Sequence, residues 1–322
     1  MLDIYKEKDA KEVIGLWNEA ATKIGYKELN ELSFSRIFSL NPYFKPSQAF
    51  VLREAGELIG FACGCMGEDL PLGQTSGYIT CVIIKETYEN TENYQLLLGA
   101  VEETFLIAEK TQAEILFFNP MTLPWYIKNT PQHEHNNAPG VFKDSRLYRE
   151  LLGFGYAERA IENAMYLDLK EFQIPKVIQE KEDKLELTHY EVALYEESRH
   201  GKVAEMLSQL GNPLWEKEIL EAIREKLPVV IAAKEGEAVG FAGPIKRQES
   251  GRGYFTGIGV IKEQEGHGLG TLLFYKLCEE EKKAGANYMS LYTGSENPAG
   301  KIYEQAGFVT IQQFAVMRKR LV

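Results

Sequence analysis

Apolar and polar positions run through this chain twice in the same order. "LREAGELIGFACG" (Leu52–Gly64) and "AAKEGEAVGFAGP" (Ala232–Pro244) share an apolar run, a polar turn at glycine, and a second run holding Gly60-Phe61-Ala62 or Gly240-Phe241-Ala242. Each predicts a hairpin. "SGYITCVIIKE" (Ser76–Glu86) and "RGYFTGIGVIKE" (Arg252–Glu263) come next, the second one residue longer, and each predicts a strand. Helical spacing follows, with Leu97, Val101 and Phe105 inside Tyr94–Lys110, and Leu272, Leu273 and Leu277 inside Thr271–Ala284. Both helices lead into apolar runs, 114–118 and 288–292, that read as strands. Each copy closes on a helix ending in Gly-Phe (Gly153-Phe154, Gly307-Phe308) and a last apolar run, Ala164–Leu169 or Phe314–Met317.

A repeat of this length predicts two domains of one α/β design, 1–170 and 187–322. The stretch between them, 171–186, is charged and lacks sustained periodicity, and it reads as a linker. The first copy carries an insertion, Pro120–Val141, rich in Pro, Asn and His, which reads as a surface excursion of the sort that can cover a site.

Composition narrows the partners. A net charge of −11 argues against nucleic acid and anionic membrane, and no apolar run is long enough to span a bilayer. Cys63, Cys65, Cys81 and Cys278 have no second pair to complete a zinc site, so reduced thiols in the cytoplasm are expected and no metal is. His133-Glu-His135 lies in the insertion and reads as solvated loop, and Cys278–Lys283 reads as the wet face of its helix.

"EGHGLG", Glu265 to Gly270, is different in kind. Three glycines at alternate positions stand between a strand and a helix start. Glycine admits positive φ and close approach of a ligand, and the first helical N–H groups point outward without partners. Such a turn is an anion cradle, most often for phosphate. The spacing fits neither the dinucleotide fingerprint, whose third glycine place is Thr271, nor a triphosphate loop, which needs Gly-Lys-Ser/Thr. Setting Ile84-Lys-Glu86 on Ile261-Lys-Glu263 puts Glu89, Thr91 and Asn93 opposite the glycines, so the first copy is expected to lack the cradle.

With the cradle, "ENPAGKIYEQAGF" (Glu296–Phe308) makes the second half resemble the GNAT superfamily of acyl-CoA-dependent N-acetyltransferases from about Leu185 onward. That family's signature is Arg/Gln-x-x-Gly-x-Gly/Ala, then an Asn-containing loop and a Tyr-x-x-x-Gly-Phe helix end. The resemblance implies tandem domains, each a mixed, mostly antiparallel sheet flanked by helices. It implies acetyl-CoA as co-substrate, its pyrophosphate held by backbone N–H groups of Gly266, His267, Gly268, Leu269, Gly270 and Thr271. Ile258 and Val260 would pair with the pantetheine arm, Asn297 would contact it, and Gly257 and Gly259 would relieve crowding there. Tyr303 takes the general-acid position toward the departing thiolate, and the Val260 N–H that of oxyanion donor. Glu263, Glu296 and Tyr254 are the candidate bases.

Glu265 stands at the Arg/Gln position, Glu296 at the Asn position with Asn297 one place late, and Arg149 at the tyrosine position of the first copy. The implied activity is transfer of an acetyl group to an amine of a small molecule or peptide, by direct attack in a ternary complex. The alternative is an acetyl-CoA- or CoA-binding regulatory module without turnover. Monomer and homodimer both remain open.

Overall fold

Both predicted hairpins are present in the computed structural model, which describes residues 1–115 and 119–321. They are Ala49–Glu54 with Glu57–Cys65, and Val230–Lys234 with Glu237–Gly243. Their turns, Ala55-Gly56 and Glu235-Gly236, hold all four residues at positive φ, the geometry that suits a two-residue hairpin. Each hairpin slips register at the same place, after Leu52↔Gly60 and after Ala232↔Gly240. The repeat therefore extends to the bulge.

The chain divides into two compact units. In the first, strands run in the order Leu2–Ile4, Ala49–Glu54, Glu57–Cys65, Ser76–Ile84, Gln112–Ile115, and then the chain's last strand, Val309–Arg320. The helix Thr91–Ile107 crosses between the parallel strands Ser76–Ile84 and Gln112–Ile115 and buries Leu97, Val101 and Phe105 against the sheet. Of the expected strand 114–118, residues 116–118 lie outside the described residues.

In the second unit, Tyr190–Leu194, the second hairpin and Gly257–Val260 form a four-stranded antiparallel sheet. Arg252–Tyr254 pairs in parallel with Tyr288–Gly294, and the helix Leu269–Lys283 connects them. A mixed, mostly antiparallel sheet flanked by helices is what was expected of each.

The last strands are exchanged. Met165, Leu167, Leu169 and Phe172, at the end of the first sequence copy, are buried in the second unit's core. Ala315 and Met317, at the end of the second copy, are buried in the first unit's core, where Met317–Arg320 pairs with Gln112–Ile115. Glu114, fully buried, accepts from Arg318 across that pair. An apolar run announces a strand, but not which sheet it joins.

Three further expectations differ from the structure. Much of 171–186 is a helix, Lys176–Glu186, with Ile178 and Leu185 packed on the second unit's core. The insertion is not a solvated excursion: Met121, Leu123, Trp125 and Ile127 are buried, and buried His135 stacks on Trp125. Nor is 278–283 a wholly wet face. Glu279 and Glu280 pair with Lys283, but the next residue, Glu281, is fully buried on the inward side of the helix.

Among the described residues only the Lys246 N–H hydrogen-bonds Glu281, at 3.1 Å; its second oxygen has no partner, and the Arg252 charge lowers its pKa less than burial raises it. Burial pushes this carboxyl from 4.5 up to about 8. A raised acid is neutral in the fold and charged when unfolded, so stability is full below about pH 4.5 and declines until about pH 8. Glu281→Gln should remove that decline and raise stability at neutral pH, by on the order of 3 kcal/mol. Thermal melts of both proteins from pH 5 to pH 9 test this, and parallel melting curves would refute it.

Candidate acyl-CoA site

One strand of the first unit is two strands in the second. Ser76–Ile84 runs unbroken, whereas its counterpart breaks at Phe255-Thr256 into Arg252–Tyr254 and Gly257–Val260, which join different sheets. The break needs no added residue, since Ser76–Ile84 and 252–260 are equal in length. Gly257–Val260 is left at the end of its sheet, paired only with Gly240–Gly243 among the described residues.

The Ile261 N–H donates to Val239, toward the hairpin. Strand alternation then turns the backbone groups of Val260 and Ile258 toward the open edge. That edge is a row of donors and acceptors of the kind an extended amide chain can join.

Gly257 and Gly259 serve a different neighbour from the one expected. A Cβ at Gly257 would lie 2.4 Å from Trp215 Nε1, and one at Gly259 would lie 2.9 Å from Leu210 Cδ1. Both glycines let the strand sit down on the helices beneath it.

After the strand comes a single turn, Lys262–Gln264, then four residues before the helix Leu269–Lys283. Gly266 and Gly268 both have φ of +82°, which a side chain would strain. Gly268 is the N-cap, and no side chain caps the helix. Space beside Gly266 is open. Glu265 is exposed and makes no ion pair or side-chain hydrogen bond among the described residues. The His267 ring lies tilted against that of Tyr190, centroids 5.4 Å apart, with its Nδ1 3.3 Å from the Gln264 carbonyl, which braces the loop. Leu269 is buried and anchors the helix start, while Gly270 and Thr271 stay partly open.

The two copies correspond with an offset that the sequence alignment misplaces. Gly60 pairs with Ile84 and Gly240 with Val260, and the next N–H, of Lys85 or Ile261, bonds back to Ile59 or Val239. Ile84 therefore matches Val260, not Ile261. Between its turn, Glu86–Tyr88, and its helix the first copy has only Glu89 and Asn90. There the Asn90 side chain accepts the Asn93 N–H at 2.8 Å, so the first unit's helix start is capped by its own chain.

A similar shift applies at the short last helix. The N–H of Phe308 bonds to Tyr303 O after Gly307 at φ +97°, and the N–H of Tyr156 bonds to Leu151 O after Gly155 at φ +86°. Leu151, fully buried, holds the place of Tyr303, and Arg149 is exposed elsewhere on its helix. Gly155-Tyr156 was the signal to follow, rather than Gly153-Phe154.

Tyr303 is 9% exposed, its ring 4.8 Å from that of Phe274. Its hydroxyl has no hydrogen-bond partner among the described residues, and burial raises its pKa. Asn297 is exposed and its Oδ1 accepts the Ala299 N–H at 3.0 Å, which shapes the turn into that helix. Of the candidate bases, Glu263 and Glu296 are exposed. Half-buried Tyr254 donates to Glu218 at 2.9 Å, and burial, then that carboxylate, raises its pKa. Glu218, on the helix Pro213–Arg224, carried no motif by which sequence could find it.

No cluster of three His, Cys, Asp or Glu able to hold a metal exists among the described residues. No helix among them is long and apolar enough to cross a membrane.

An opened sheet edge beside a glycine-lined helix start is an arrangement suited to an extended amide chain that carries an anion. Residues 191–308 match the model of the acetyltransferase (GNAT) family. No curated protein sequence matches the chain.

Solved structures resemble it along its whole length. One is the GCN5-related glucosamine N-acetyltransferase region of a fungal multi-domain GH3 β-N-acetylglucosaminidase, at 16% identity and a TM-score of 0.68. The match covers 99% of this chain and 38% of that one, so this chain spans well under half of that protein. A GCN5-related N-acetyltransferase from Sphaerobacter thermophilus matches at 13% identity and TM-score 0.59, covering 99% and 95%. A tandem GNAT protein from the clavulanic acid biosynthesis pathway matches at 12% and 0.57, covering 99% and 98%. At these identities the likeness is one of fold.

Proposed function

We propose that the second unit transfers an acetyl group from acetyl-CoA to an amine, and that the first unit binds no acetyl-CoA. The observation that carries this is the contrast between copies. The second has a broken strand, an uncapped helix start and a tyrosine, where the first has a continuous strand, an Asn90 cap and Leu151. A duplicated fold that differs in these three places has kept in one copy what an acyl-CoA needs.

Residues of this chain do the work as follows. The open edge at Ile258 and Val260 pairs with the pantetheine arm, and Asn297 borders it. Backbone N–H groups from Gly266 to Thr271 receive the pyrophosphate, aided by the helix dipole. The bound thioester supplies the acetyl group and the thiolate leaving group. The Val260 N–H stabilises negative charge at the carbonyl oxygen, and Tyr303 gives its proton to the departing sulfur. The acceptor is an amine of a small molecule or peptide that attacks in a ternary complex.

Calorimetry with acetyl-CoA should find one site per chain. Gly268→Glu should abolish binding, by strain at φ +82° and by charge, while Thr91→Glu, at the first copy's helix start, should leave it unchanged. Two equivalent sites would overturn the assignment of roles to the copies. CoA release across a panel of amines then tests turnover, and a flat result would favour the regulatory-module alternative.

A further inference from the structure

The acetyl-transfer reading leaves the pyrophosphate without the cation that a two-charge anion calls for, since Glu265 occupies the loop position where one would be expected. A cation reaches the loop from elsewhere. Lys181 stands on the helix Lys176–Glu186, three residues after Ile178 and four before Leu185. That spacing puts all three on one face. Ile178 and Leu185 pack on the core of the second unit, and Lys181 lies across Gly268 at the N-cap of the motif helix.

A Cβ built on Gly268 would lie 2.3 Å from Lys181 Cε and 2.4 Å from Nζ. Residue 268 is thus glycine for two reasons, its φ and the lysine passing over it. Lys181 is half-buried, and its ammonium makes neither an ion pair nor a hydrogen bond among the described residues. Its own helix is rich in carboxylates, yet the Lys181 chain runs to the loop and not to one of them.

We propose that Lys181 is a phosphate ligand of the site, and that its ammonium pairs with the pyrophosphate of acetyl-CoA. This rests on the acetyl-transfer reading of the same cleft. A lysine is a point charge on a flexible stem, so it can swing from Gly268 onto an oxygen of the arriving anion without moving the loop. The loop N–H groups and the lysine then hold the anion from two sides. The exposed Glu265 turns away to solvent. The stretch that sequence reads as a linker thereby belongs to the binding site.

The test uses the full chain, with acetyl-CoA and acetyl-3′-dephospho-CoA as probes in calorimetry. Lys181→Met should weaken acetyl-CoA about tenfold or more, the scale of one lost charge-assisted hydrogen bond. Lys181→Arg should recover most of the affinity, which a purely structural role for the lysine stem would not give. Because the pyrophosphate remains in the dephospho ligand, the same factor should be lost there. Raising salt should weaken wild type more steeply than the Met variant. Affinity in Lys181→Met within twofold of wild type would overturn the assignment, as would a loss that disappears with the dephospho ligand. If wild type binds neither probe, the acetyl-transfer reading itself falls.

Discussion

Expressed alone, Lys184–Val322, the second domain read from sequence with the three residues before it, is expected not to fold. It lacks Met165, Leu167, Leu169 and Phe172, each no more than 8% exposed in the second unit's core. Burying such side chains contributes about 1.5–3 kcal/mol apiece, so their absence removes roughly 6–12 kcal/mol. A domain's whole stability is about 5–15 kcal/mol. The fragment also keeps Ile311–Val322, which belongs to the first unit and would trail as an unpaired apolar strand. A fragment cut at Met165 and Thr310 keeps the missing side chains and sheds the foreign strand. Circular dichroism melts should show a cooperative transition for that fragment and none for the longer-tailed one. A cooperative melt of Lys184–Val322 would mean that the exchanged strand is dispensable.

Tyr303→Phe should lower turnover by about a hundredfold or more and leave acetyl-CoA affinity within about twofold. The hydroxyl has no partner among the described residues, so its removal orphans no protein group and costs little stability. Burial raises its pKa, so the oxygen holds its proton in the resting protein and the hydroxyl is present as a donor when sulfur charge develops. The ring contact with Phe274 survives in phenylalanine. An interaction made only as charge develops appears in kcat and not in Kd. Single-turnover rates that are equal in the two proteins would return Tyr303 to a packing role.

What could be seen in the sequence follows the range of each signal. Hairpins, helices and the glycine loop are local patterns, and they appear where the spacing puts them. The pairing between copies was harder. One-residue offsets at Ile84 and a two-residue offset at Gly155 arise because identical letters, Ile-Lys-Glu and Gly-Phe, fall at inequivalent backbone positions. Hydrogen-bond register decides such matches, and letters do not. Partnership over long separations was hidden altogether. Nothing near Lys181 announces Gly268, and nothing in Phe314–Met317 says that Glu114 awaits Arg318. Glu281 was misjudged because a run of acids suggests a wet face, whereas a helix turns one residue in every few inward.

The exchanged strands also set an order of events during synthesis. A chain emerging from the ribosome exposes residues 1–164 first, yet the sheet they form lacks a strand until residues 311–321 are made. Through that interval Gln112–Ile115 presents an unsatisfied edge, and the buried carboxylate of Glu114 has no guanidinium. The second unit, by contrast, has its borrowed strand from the outset, because Met165–Phe172 precedes the rest of it. The half translated last can therefore close first. Its completion then releases the segment that seals the half translated earlier, and a ribosome stalled before residue 311 strands a nascent chain with an open, aggregation-prone sheet.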